Sequence, residues 1–329
     1  MSADTKKRRC RARGHACYWM YKMSDLSALH ALAMEKSKGL KKDTVREVVK
    51  NTPYGSISDL KELKEFALAS FDASYFPNEK AWNESFRILE LSEKESIHCI
   101  SIESALYPKY LKEIDDAPTM LYLKGDLKCL SKLPGVSVVG SRKVSKNGGV
   151  IANRIANFVA EQGLVVVSGL ALGVDTLAHK GALMSGRQHS TIAVLAHGLE
   201  VAKPLSNAKL AEEIINNGGL WVSEHHIGVE AKPYQFVARN RIQLGLSAGS
   251  IIIEAGLSSG TVTQAKFCVK QGRPLFAVVP EDDTNRLGLF CEGTQMMVKD
   301  LNAFPLKNKK DYPEMIRILN RQVEMMKLV

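Results

Sequence analysis

Short β-branched runs alternate with helix-periodic segments from Val136 to Val279, and this alternation predicts a doubly wound α/β fold with a mostly parallel sheet. The runs Val136–Val139, Val165–Val167, Thr191–Leu195, Leu220–Val222, Ile251–Ile253 and Leu275–Val279 are apolar throughout rather than alternating. Strands of that kind are buried on both faces and need helices above and below. Between the first two runs, Ile151, Ile155, Phe158 and Val159 share one face of a helix over Val150–Gln162.

Taken in order, residues 1–19 form a basic tail, expected to be disordered, with Lys6-Lys7-Arg8-Arg9 and Arg11 and Arg13 inside it. Cys10, His15 and Cys17 lie close together, but no fourth ligand follows at zinc-like spacing. Residues 20–95 read as a small helical module: Leu26, Leu29, Leu32 and Ala33 recur at helical spacing, as do Val45, Val48 and Val49. The turn Lys38-Gly39-Leu40-Lys41-Lys42 between them either offers backbone N–H groups and lysines to phosphate or simply joins two packed helices. Residues 96–135 are a connector that packs on the core and ends at Pro134-Gly135, residues 136–300 the α/β domain, and residues 301–329 a helical tail.

The chain has 329 residues, 45% hydrophobic and 24% charged, an ordinary composition for a soluble protein of one large domain and a small module. No uninterrupted apolar run reaches about 18 residues, and no secretory signal is apparent, so neither a membrane span nor export is expected. Six cysteines without framework spacing point to reduced thiols and a cytoplasmic setting. The net charge of +10 is unevenly spread. Residues 1–50 carry 13 basic against 5 acidic side chains, residues 51–135 carry 10 against 14, and residues 136–280 carry 14 against 8. Two basic blocks either favour a polyanionic partner or form a solvated basic surface.

In a doubly wound sheet the ligand lies beyond the carboxyl ends of the strands, so the loops there hold the candidates. The first strand runs into Gly140-Ser141-Arg142-Lys143 shortly before a helix. Glycine allows close backbone approach, the helix start offers unpaired N–H groups, and Arg142 adds a planar fork suited to phosphate. The spacing is neither a dinucleotide fingerprint nor a P-loop, because Gly148-Gly149 comes too late. The second strand ends in Ser168-Gly169-Leu170-Ala171-Leu172-Gly173-Val174-Asp175, with Asp175 read as a helix N-cap and His179 as packed or exposed rather than catalytic. Farther on, Arg239 and Arg241 stand at alternate positions, where they could grip successive phosphates or cap the sheet edge. Ser258-Ser259-Gly260-Thr261 reads as a helix start facing the same mouth. Glu254, at the end of a buried strand, needs an arginine or backbone N–H partner, and no second acid, His–Cys pair or metal cluster completes a mechanism around it.

In this order, the motifs resemble the DprA/Smf (DNA-processing protein A) family over residues 106–298. The resemblance runs from Tyr107-Pro108 and Leu121-Tyr122-Leu123-Lys124-Gly125-Asp126 through Val139-Gly140-Ser141-Arg142 and Gly163 to Ala171. It continues with Asp175 to Leu183, Arg239-Asn240-Arg241-Ile242, Glu254-Ala255, Ser259-Gly260-Thr261 and Asn285-Arg286-Leu287. It implies an extended Rossmann-like domain, usually a homodimer, that binds single-stranded DNA in a basic pocket and has no catalytic residues. Family members protect incoming strands and help load a RecA-type recombinase in natural transformation. Carried onto this chain, the pocket would comprise Gly140, Ser141, Arg142, Ser168, Gly169, Gly173, Arg239 and Arg241, with Lys143 and Lys180 as additions. Leu172 stands where the family has a basic residue, Ala196-His197-Gly198-Leu199 replaces a glycine-richer turn, and Ala202-Lys203-Pro204 lacks the usual aromatic–proline pair. A C-terminal winged helix is not expected.

Three function classes follow. The first is a single-strand binder in which Arg142, Arg239 and Arg241 clamp phosphates. It fails if these arginines turn apart or are locked into internal ion pairs. The second is a sensor of a nucleotide-derived small ligand in the same pocket. The third is a phosphoribohydrolase-like enzyme using Glu254, against which stands the lack of paired glycines before Ser259-Gly260-Thr261.

Overall fold

The computed structural model describes residues 26–72 and 75–328. The basic run at 6–13 and the Cys10, His15 and Cys17 group lie outside them. The chain divides into two compact units, one from residues 26–94 with 99–107 and 118–121, the other from 95–98, 108–117 and 122–328.

The first unit is helical, with α1 Leu26–Lys36, α2 Lys42–Lys50, α3 Leu60–Ser70 and α4 Glu79–Lys94. The periodic residues Leu29, Leu32, Val45, Val48 and Val49 are all buried, as the spacing predicts. Asp59 caps α3 by accepting from the Lys61 and Glu62 N–H groups. His30 is buried against the stacked ring of Trp82 at 5.8 Å and shares a 2.8 Å hydrogen bond with the Tyr54 hydroxyl. Burial pushes its imidazole down to about 3, so it stays neutral. The turn between α1 and α2 is open, with Gly39 at φ +88° and Lys38 and Lys41 exposed.

The second unit carries the sheet. Strand β1 (Ile97–Ser101) straddles the division, followed by β2 (Met120–Gly125), β3 (Gly135–Val139), β4 (Val166–Ser168), β5 (Thr191–Val194), β6 (Leu220–Ser223), β7 (Ser247–Ile252), β8 (Leu275–Val278) and β9 (Phe304–Leu306). The order across the sheet from β2 is β2–β6–β5–β4–β3–β7–β8–β9. From β2 onward every pairing is parallel except β2 with β6. The helices are α5 Lys109–Lys112, α6 Lys146–Glu161, α7 Val174–Met184, α8 Ala208–Asn216, α9 Pro233–Ala238, α10 Asn240–Gly245, α11 Gly260–Lys270, α12 Glu292–Asp300 and α13 Tyr312–Leu328.

Successive residues of a strand face opposite sides, and the core obeys that rule. Val138, Ile251 and Ile253 pack with Ile155, Val159 and Leu319 on one face. Val139 and Ile252 pack with Leu244, Ala265 and Met297 on the other. The doubly wound, Rossmann-like α/β fold is therefore present. Two segments do more than expected. The connector supplies antiparallel β2, and the tail supplies edge strand β9 and α13, whose Met315 and Leu319 are core residues. From β3 the chain proceeds to β4, β5 and β6 on one side, then returns to β7 on the other. The order reverses at the carboxyl ends of β3 and β7, where a ligand crevice is expected.

Candidate nucleic-acid interface

The β3 loop is shaped by two glycines. A Cβ on Gly140 would stand 2.8 Å from a Val174 methyl and 2.9 Å from the Glu254 carbonyl oxygen, so only glycine fits. Gly173, at φ +80°, brings its backbone against the Ser141 and Arg142 carbonyls. The Ser141 N–H donates to the Glu254 carbonyl at 2.8 Å, and the Val174 N–H donates to the Ser141 carbonyl at 3.1 Å. The loops after β3, β4 and β7 are thus locked together by backbone bonds. Arg142 and Lys143 are left on the outside, both exposed. The Arg142 guanidinium lies over the Phe236 ring, 5.3 Å from its centroid. The Ser141 hydroxyl accepts from the Lys143 N–H at 3.1 Å and tightens the turn.

Glu254 is fully buried and fully committed. One carboxylate oxygen accepts the Ser145 N–H at 2.9 Å, and the other accepts the Ser145 hydroxyl at 2.6 Å and the Phe290 N–H at 3.1 Å. Ser145 in turn caps α6 by accepting from the Gly148 N–H. Any Cβ at Gly148 would meet that carboxylate at 2.5 Å. The backbone N–H partners foreseen for this residue are present, and its role is to bolt the start of α6 to the end of β7.

Arg239 sits at the junction of α9 and α10, with only 5% of its surface exposed. Its guanidinium lies where a Cβ on Gly169 would be, so that glycine is the floor beneath it. Its Nη2 is 3.6 Å from the Asp175 carboxylate, and its Nε and Nη1 are buried without hydrogen-bond partners among the described residues. Asp175 is not the N-cap: Gly173 holds that position, and Asp175 is buried two residues in. Burial raises the Asp175 carboxyl, opposed by Arg239 and by the Ala171 and Gly169 N–H groups. Beside them His179 is packed, bonded to Thr191 Oγ1 at 2.7 Å, and burial takes its imidazole down to about 3.

Two expected pocket residues belong to the scaffold instead. Arg241 makes a bidentate pair with Glu224 at 2.7 and 2.8 Å, and its Nε meets Asp116 at 2.8 Å. A further bond goes to the Ala238 carbonyl at 3.0 Å. Alternate residues share a face only in a strand. In the helical backbone that Arg239 and Arg241 occupy, residues two apart point about 200° away from each other. Ser168 is fully buried, and its hydroxyl donates to the Val138 carbonyl at 2.8 Å. Lys180 is exposed on α7, about 9 Å of helix rise beyond Val174. The structure therefore gathers Gly140, Ser141, Arg142, Gly169, Gly173 and Arg239 at one mouth, with Lys143 at its rim. Phe236 was missed, although an aromatic three residues before Arg239 is a readable sign of a stacking surface. Ser259 stands at the N-cap of α11 as foreseen, but its hydroxyl does not cap. Among the described residues no group of three or more metal-ligating side chains assembles, and no helix is long and apolar enough to cross a membrane.

Fold and site together define a Rossmann-like domain in which the loop after β3 sets an exposed arginine over an aromatic ring of α9. A family model described as DNA recombination-mediator protein A matches residues 98–317, and the chain belongs to that family. It is 41% identical over 186 residues to the DNA processing protein DprA of Streptococcus pneumoniae, covering 56% of this chain and 64% of that protein. It is 36% identical over 193 residues to the Bacillus subtilis protein of the same name, covering 58% and 64%. The chain thus spans just under two thirds of the length of these relatives. Among solved structures, DNA processing protein A from S. pneumoniae superposes with a TM-score of 0.67 at 32% identity, covering 88% of this chain and 96% of that one. DNA processing protein A from Helicobacter pylori, described for its single-stranded DNA binding mode, gives 0.59 at 30% identity, covering 68% and 98%.

Proposed function

We propose that this chain binds single-stranded DNA across the carboxyl edge of its sheet, largely without sequence preference, and acts as a recombination mediator without chemistry of its own. The observation that carries the reading is Arg142: exposed, seated on Phe236, and held out by loops that their own backbone bonds make rigid. An arginine on an aromatic face gives a phosphate fork beside a surface on which bases stack, and stacking tolerates every base. The single-strand binding described for the H. pylori relative supports the same reading. Of the three arginines expected to clamp phosphates, Arg241 is locked into ion pairs with Glu224 and Asp116 and Arg239 is buried on Gly169 beside Asp175, so the triple clamp fails by the condition set for it and the reading rests on Arg142. Affinity then depends on Arg142, neighbouring exposed lysines and loop N–H groups rather than on a triple clamp. Protection of strands, loading of a RecA-type recombinase, a cytoplasmic site of action and a homodimeric state complete the proposal.

Fluorescence anisotropy with a labelled oligothymidine tests it. Binding should weaken about tenfold in Arg142→Ala and fall steeply with added salt. A salt-independent isotherm, or unchanged affinity in Arg142→Ala, would reject it. One observation favours the small-ligand sensor as a second reading: a single exposed guanidinium at the mouth suits one phosphate group. Thermal stabilisation by a mononucleotide, with no oligonucleotide binding, would select that reading.

A further inference from the structure

Helices α6 and α7 start at the mouth just described and run side by side away from it. Small residues meet at their contact. A Cβ on Gly149 would stand 2.9 Å from a Leu177 methyl, and one on Gly181 would collide with the Asn153 backbone carbonyl. Close backbones leave the larger side chains outside, flanking a groove of about 670 Å³. Val144, Val150, Leu177 and Met184 make its apolar surface, with Val150 49% and Met184 70% exposed. Lys146 and Arg154 supply its charge, and no acidic residue lines it among the described residues.

We propose that this groove is a second subsite for single-stranded nucleic acid, continuing the path of the strand held at Arg142. The proposal rests on the single-strand reading above and extends it to a surface outside the sheet edge. Three observations select a polynucleotide as the occupant. The groove opens at Val144-Ser145-Lys146, directly after Arg142 and Lys143, so the two surfaces are continuous along the chain. Its charged lining residues are both cations, which complements phosphate. Lys146 and Arg154 are eight residues apart on one helix, a rise of about 12 Å. That distance spans three to four stacked nucleotides at ~3.4 Å each. The apolar surface between them suits bases whose backbone is held by the two cations.

Oligothymidines of about 4 and about 16 nucleotides separate the subsites, since the shorter can be held at Arg142 alone. In the double variant Lys146→Ala/Arg154→Ala, the longer strand should bind about tenfold more weakly while the shorter changes less than about twofold. The slope of log affinity against log salt for the longer strand should drop by about 1.4, two contacts at ~0.7 each. Val150→Trp places a reporter on the groove, and its emission should be quenched by the longer strand. The proposal is overturned, with the single-strand reading intact, if Arg142→Ala weakens binding while the double variant keeps wild-type affinity and slope, or if the Val150→Trp signal ignores saturating strand. Equal weakening for both lengths would make the cations a diffuse field and overturn the subsite. Emission that responds to protein concentration alone would show a second copy seated there, again overturning it. Failure of the wild-type chain to bind either strand would remove both the subsite and the reading on which it rests.

Discussion

Glu254 and Arg241 show how a charged side chain near a ligand mouth can serve the scaffold alone. Glu254→Ala would orphan the Ser145 N–H and hydroxyl and the Phe290 N–H, each at about 1–3 kcal/mol, so urea unfolding should reveal a loss of several kcal/mol. Glu254→Gln keeps the shape and acceptor oxygen, and should lose less. Arg241→Ala removes the bidentate partner of the Glu224 carboxylate, and a loss of up to about 3–5 kcal/mol is expected by the same measurement. If DNA affinity falls while stability is unchanged, Arg241 is a contact residue after all. Gly169→Ala should displace Arg239 from its floor and weaken strand binding, because α9 also carries the Phe236 that supports Arg142. The buried histidines contribute to the acid limb of stability. His30 and His179 are held near 3 in the fold against an ordinary 6.5, so below pH 6.5 the unfolded chain binds more protons than the folded one. Stability conferred by their burial is complete above pH 6.5 and is lost as pH falls toward 3, by up to about 1.4 kcal/mol per pH unit for each histidine. His179→Gln should flatten that slope in a series of melting curves.

At the scale of elements, glycine placement decides what touches what. α6 and α7 meet through Gly149 and Gly181, so Gly181→Val would drive a side chain into the Asn153 carbonyl. A loss of about 2–4 kcal/mol is expected, read as a lowered urea midpoint. This packing was not visible in the hydrophobic period of α6, which identifies the buried stripe but not the partner. The strands were legible because residues buried on both faces must be apolar throughout. The boundaries of the connector and tail were not. β2 and β9 pair at or near the sheet's edges, where a short segment joins because a neighbour's hydrogen-bonding edge is open. That is a property of the neighbour, not of the segment.

At the scale of the whole molecule, the proposed homodimer needs an apolar surface that can face its own copy. Leu257, Leu287 and Phe290 are exposed, with Phe290 at 56%. The Phe290 backbone is held by Glu254 and Ala255, which presents its ring on a fixed support. A two-fold axis would set Phe290 against a surface of the other copy. Phe290→Glu is expected to convert a dimer to a monomer in sedimentation equilibrium, and an unchanged mass would place the interface elsewhere.

The sequence by itself determined the α/β class, the order of the loops at the strand ends, the family resemblance and the candidacy of Arg142. Each of these depends on local pattern: apolar runs, glycine after a strand, and motifs in fixed succession. Only the tertiary structure decided which polar residues are spent internally. Arg241 and Arg239 look alike in sequence, yet one is clamped by carboxylates 125 and 17 positions earlier in the chain, while the other is buried on a glycine beside the Asp175 carboxylate, with two of its nitrogens unbonded among the described residues. A guanidinium is available to a ligand only if it stays exposed and no acid of the fold takes up its donors, and long-range packing alone settles that.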